Sequence, residues 1–142
     1  MEISNQLIQP LVALVVWSMV MWLWMYVTRV PAIMSMKLEM DPMAPNGEQM
    51  AKLPAKVRWK ADNYNHLMEQ PTLFYAVVLA LAVMGISSGF TLYAAWAYVA
   101  LRIIHSLVQA LGNKIELRFA VFVASNIPLL FLVFSAVRAA FA

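Results

Sequence analysis

Two short stretches hold most of the chemically versatile side chains that stand inside apolar sequence. In RIIHSLVQ, Arg102 is followed by His105, Ser106 and Gln109 at spacings of three, four and seven. In DNYNHLME the same spacings lead from Asp62 to Asn65, His66 and Glu69. On a helix, positions so related share one face. Arg118 follows shortly after, beyond the turn GNKIE. Arg102, Arg118, His66 and His105 are more cationic and donor groups than one carboxylate needs, and the planar fork of arginine suits carboxylates. That surplus points to a site for an anionic ligand. Two other readings stand beside it. Glu69 and Arg102 form an obvious membrane-embedded ion pair, and that pair with its neighbours could serve only to fix helix register. His66, Glu69 and His105 could also supply three metal ligands. The repeated carboxylates of a di-iron bundle are lacking, so no metal is expected.

Residues of this kind need elements that bring them to one depth. The chain has 142 residues, 63% of them hydrophobic and 12% charged. Soluble domains are about half apolar and a quarter charged. The apolar excess lies in four blocks, at about 7–30, 68–86, 90–111 and 117–140. Each is close to the ~20 residues that cross the hydrocarbon of a bilayer. This predicts an all-α, integral membrane, four-helix up-down bundle forming a single domain over 1–142. MEISNQ has no basic region and no small-residue cleavage site follows, so the first block is read as a retained helix rather than a signal peptide. Trp17, Trp22 and Trp24 in it are read as packing or lipid-facing surface.

The connections are marked by composition. EMDPMAPNGEQMAKLP reads as a loop, about 37–56, outside the membrane. Helix restarts near Ala55, giving the second span a polar extension that carries Asp62 to Glu69, with a bend at Pro71. GISSGF and GNKIE are short turns between antiparallel helices, with Gly112 placed to end the third. Pro31 is expected to kink the first helix, and Asn126 with Pro128 to interrupt the fourth.

Basic residues orient the bundle. Lys37, Lys52, Lys56, Arg58 and Lys60 flank the first loop, Lys114 and Arg118 the third, while the second has none. Positive-inside bias puts loops one and three in the cytoplasm and both termini outside, with Arg138 alone against it. The polar extension of helix two and the polar end of helix three then lie at one membrane face. The net charge of +3 comes from these flanking residues and carries no nucleic-acid motif, so no nucleic-acid partner is expected. There is no cysteine, which excludes disulfides and a protein thiol nucleophile.

At these residues the chain resembles the MAPEG superfamily, membrane-associated proteins in eicosanoid and glutathione metabolism, as a divergent member of bacterial type. RIIHSLVQALGNKIELR is similar to the family's helix-three to helix-four signature, and NHLMEQP to its Asn-x-x-Glu segment on helix two. The resemblance covers nearly the whole chain. It implies a homotrimer with glutathione as cosubstrate in a cleft between protomers, open to the cytoplasm. It implies that Arg118 stabilises the glutathione thiolate, that Glu69 holds the peptide's amino end or the arginines around it, and that Arg102 and His105 line the same site. Asn65, His66 and Gln109 complete the expected ligand-contacting set. The sequence departs from the family pattern at three positions. Asp62 stands where many active members have an arginine, His66 at the asparagine position, and Gln109 where tyrosine is common.

The implied activity is a membrane glutathione-dependent transferase or lipid-hydroperoxide reductase. Its partners would be the bilayer, glutathione and a lipophilic electrophile or hydroperoxide. The alternative is a non-catalytic scaffold or lipid-binding protein that retains the fold, favoured by Asp62 and Gln109. A small transporter ranks last, because helix one has no carboxylate in its span and the polar groups crowd one membrane face.

Overall fold

The computed structural model describes residues 5–142 and contains five α-helices and a single 3₁₀ turn. Helix α1 spans Asn5–Met36, α2 Ala55–Glu69, α3 Pro71–Val83, α4 Gly89–Leu111 and α5 Ile115–Phe141, with the 3₁₀ turn at Met50–Lys52. Helices α2 and α3 follow one another with only Gln70 between, itself in helical conformation, so they form one long rod jointed at Pro71. Pro71 has no N–H to give the carbonyl four residues back, which is where the ladder breaks. Counting that rod as one, four helices are long and apolar enough to cross a membrane.

Packing follows from spacing. In α1 the buried residues are Leu7, Pro10, Leu14, Ser18, Met21 and Met25. Their three- and four-residue steps give the narrow seam by which a helix packs on its neighbours. That seam meets the α2–α3 rod and α4. Leu67, Phe74, Val78 and Leu81 face it from the rod, and Ala95, Tyr98 and Val99 from α4. On the far side α5 packs along α4 and against α3 through Ser125, Leu129 and Leu132. Helix α4 is therefore central, touching α1, α2 and α5. The outer faces of α1 and α5 are lined with exposed Val, Leu, Met and Phe, suited to lipid or to another protein surface.

Helix ends are set locally. Ser88 caps α4: its Oγ accepts from the Thr91 backbone N–H while Thr91 Oγ1 accepts from the Ser88 N–H. At the other end Gly112 closes α4, but it is Asn113 that takes the left-handed conformation, with φ of +49°. The expected interruption of the last helix does not occur. Helix α5 runs unbroken through Asn126 and Pro128, as α1 does through Pro31. One lost backbone bond is tolerated inside a membrane helix, where neighbouring side chains satisfy the freed group.

Candidate functional site

The polar faces of α2 and α4 do meet. Arg102, His105, Ser106 and Gln109 are all buried along one line of α4, and Arg102 is 0% exposed. Facing them from α2, His66 stacks on His105 with ring centroids 4.8 Å apart and planes 20° from parallel. Phe122 of α5 closes the third side, edge-on to His66 at 5.2 Å. A cleft of about 350 Å³ opens beside this cluster. One wall is Asp62, His66 and Glu69 of α2. The floor is His105 and Gln109 of α4, and the opposite wall is Ile115, Arg118, Phe119 and Phe122 of α5.

The chain thus brings together His66, Glu69, His105, Gln109 and Arg118. The other two sequence-derived candidates lie elsewhere. Asn65 looks into a neighbouring cleft of about 360 Å³, between the end of α1, the first loop and α2, which it shares with Arg29, Asn46, Arg58 and Asp62. Arg102 lies behind the first cleft and does not line it. Its Nη2 meets His66 Nδ1 at 2.7 Å, and its guanidinium carbon sits 5.9 Å from the centre of the Phe122 ring. Its Nε and Nη1 are buried without a hydrogen-bond partner among the described residues.

The Glu69–Arg102 ion pair expected from the sequence is not formed. Glu69 is exposed at the cleft, whereas Arg102 is enclosed in the bundle and bonds to His66. His66, about one turn before Glu69, is the α2 side chain that reaches Arg102 instead. What compensates Arg102 is an imidazole lone pair and an aromatic face.

Arg118 is held in place from the turn. Its Nη1 donates to Asn113 Oδ1 at 2.6 Å. The left-handed backbone of Asn113 is the geometry in which an Asn is commonly accepted, so one residue both turns the chain and anchors the guanidinium. The turn is expected at Gly112, but Asn113 takes the left-handed position; Asn is the other residue type that signals such a turn.

A second polar array, also not foreseen, runs deeper into the bundle. Tyr98 donates to Gln70 Oε1 at 2.8 Å, and Gln70 Nε2 in turn donates to Asn126 Oδ1, tying α4, the α2–α3 joint and α5 together. Tyr98 lies one turn before Arg102 on the same buried stripe. That continuation of the i, i+4 pattern was the available signal. Tyr75 approaches Ser18 at 3.5 Å, reaching α1.

Fold and site together define a multi-pass membrane protein whose buried polar stripe ends in a cleft with one polar and one largely apolar wall. Residues 7–138 match the MAPEG family, and the chain belongs to that family. Comparison with curated proteins and with solved structures returned no significant match.

Proposed function

We propose that the protein is a membrane glutathione-dependent transferase or lipid-hydroperoxide reductase, working in the cleft between α2, α4 and α5. The observation that carries this reading is the opposition of charges across the cleft. Asp62 and Glu69 present carboxylates from α2, and Arg118 presents a guanidinium from α5. A ligand that carries both an ammonium group and an ionisable thiol is complementary to that pattern, and glutathione carries both. The volume, about 350 Å³, lies at the lower end of the range of roughly 300–1,000 Å³ in small-molecule sites.

Bound there, glutathione would supply the thiol that the cysteine-free chain lacks. Arg118 favours the charged form of a thiol beside it. Asn113 keeps the guanidinium aimed, so little reorganisation is needed as charge develops. Ile115, Phe119 and Phe122 offer an apolar surface from which a lipophilic acceptor can approach. We further read the assembly as a homotrimer with the cleft completed by a neighbouring protomer, supported by family membership and the broad apolar faces of α1 and α5. We likewise read the cleft as facing the cytoplasm, a reading supported by the basic residues around loops one and three.

Titration calorimetry of detergent-purified protein with glutathione, with thiol-free ophthalmic acid in parallel, tests the reading. Saturable glutathione binding is expected. Arg118→Ala is expected to lower turnover by about 10²-fold or more while changing the dissociation constant far less. Equal loss in both would count against the thiolate role. A second reading, a non-catalytic bundle, has one specific feature in its favour: two carboxylates against one guanidinium in the cleft repel a ligand with net negative charge. It requires no binding at millimolar glutathione by folded protein.

A further inference from the structure

Arg102 and His66 form a unit whose hydrogen-bond direction is fixed by chemistry. A guanidinium has five N–H donors and no acceptor. The 2.7 Å contact between Arg102 Nη2 and His66 Nδ1 can therefore be a hydrogen bond only if Nδ1 carries a lone pair. An imidazolium has no lone pair on either nitrogen, and the Nδ1–H tautomer has none at Nδ1. The ring is then neutral with its single proton on Nε2. Its plane is held as well, by His105 stacked on one side and Phe122 edge-on. His66 lines the cleft and Arg102 does not.

We infer that Arg102 is a positioning residue, which locks His66 as a neutral Nε2–H donor, and that His66 takes an acceptor oxygen of the cleft ligand, a carboxylate or peptide carbonyl. The ligand half of this inference rests on the glutathione reading above; the lock does not. An asparagine at position 66 could turn either its amide oxygen or its amide nitrogen toward a ligand. Histidine held in this way offers a donor alone, so the cleft selects at that point for an oxygen acceptor and against a donor. The arrangement also accounts for a buried arginine with no carboxylate bonded to it: the interaction it makes is spent on the orientation of its neighbour.

The chain has two histidines, so long-range ¹H–¹⁵N correlation of detergent-purified, ¹⁵N-histidine-labelled protein resolves both rings, and His66→Asn assigns them. In the ligand-free wild type, His66 is expected to show a single Nε2–H tautomer, with Nδ1 displaced far downfield as an unprotonated nitrogen. In Arg102→Met that signature is expected to give way to averaged tautomers. Arg102→Lys, which restores a charged donor, is expected to recover it. An Nδ1–H tautomer or an imidazolium in the wild type overturns the lock. So does an Nε2–H signature unchanged in Arg102→Met. If Arg102→Met does not fold, wild type labelled with ¹⁵N in both arginine and histidine decides the point: a scalar coupling across the Arg102 Nη2–His66 Nδ1 hydrogen bond supports the lock, and its absence overturns it. Glutathione is then added. A shift at His66 Nε2 on saturation supports the contact, whereas calorimetric binding without that shift overturns the contact and leaves the glutathione reading intact. No binding at all overturns the glutathione reading and the ligand half with it, while the tautomer stands or falls on the ligand-free spectra.

Discussion

Asn113 Oδ1 accepts from Arg118 Nη1 at 2.6 Å across the turn between α4 and α5, and Asn113 makes that turn with a φ of +49°. The two roles separate by substitution. Asn113→Gly keeps the left-handed backbone and removes the anchor. Asn113→Ala removes the anchor and also the short polar side chain whose local hydrogen bonding lets Asn tolerate the left-handed backbone, a conformation that costs other L-residues about 1–2 kcal/mol. Asn113→Gly is expected to lower turnover several-fold with little change in thermal stability in detergent, and Asn113→Ala to lower both. Unchanged turnover in Asn113→Gly would show that Arg118 needs no anchor.

The position of Glu69 gives a test on stability. Had Glu69 and Arg102 formed a buried pair, removing one partner would cost about 3–5 kcal/mol. With Glu69 exposed at the cleft and Arg102 bonded to His66, Glu69→Gln is expected to change unfolding free energy by less than about 0.5 kcal/mol. The same substitution is expected to weaken binding of a ligand that brings an ammonium group. Arg102→Met is expected to destabilise clearly more than Glu69→Gln. Equal and large losses from both would restore the ion pair.

How far the sequence could be read is shown by these same residues. The four spans and the stripe Arg102, His105, Ser106, Gln109 follow from hydropathy and helical spacing, which are local properties. The meeting of α2 and α4 followed from placing both stripes at one membrane face. Which α2 residue reaches Arg102 did not follow, because His66 and Glu69 differ by under one turn and only the rotation of α2 about its axis decides between them. That rotation is set by tertiary packing, which turns Ala61, Asn63 and Leu67 of α2 into the bundle. The Tyr98–Gln70–Asn126 array joins residues 28 and 56 positions apart, beyond the range of any periodic signal. Asn113 is legible in the sequence, because Asn as well as Gly signals a left-handed helix end.

That array should behave as one unit. Tyr98→Phe leaves Gln70 Oε1 without its donor, and Asn126→Leu leaves Gln70 Nε2 without its acceptor. Each is expected to cost about 1–3 kcal/mol, because Gln70, half-buried within the bundle, loses a partner where lipid offers none in its place. Because both changes act through Gln70, their effects should not add. A double-mutant cycle on thermal or denaturant unfolding in detergent is expected to give a coupling of at least about 0.5 kcal/mol. Additive effects would mean that the two hydrogen bonds are made independently.

Orientation in the bilayer decides whether the cleft meets cytosolic glutathione. Four crossings put the segment between α1 and α2 on the same side as the α4–α5 turn, with the α3–α4 turn opposite. The cleft opens near the α4–α5 turn, since Gln109, Ile115 and Arg118 line it. The chain has no cysteine, so a single introduced thiol reports its own side. Glu48, before α2, and Ser87, between α3 and α4, are both exposed. In intact cells a membrane-impermeant maleimide is expected to label Ser87→Cys, and Glu48→Cys only after permeabilisation, because basic residues flank the first and third connections alone. The reverse pattern would place the cleft outside the cell, away from the cytosolic thiol pool. The non-catalytic reading would then be favoured even for protein that binds glutathione in detergent.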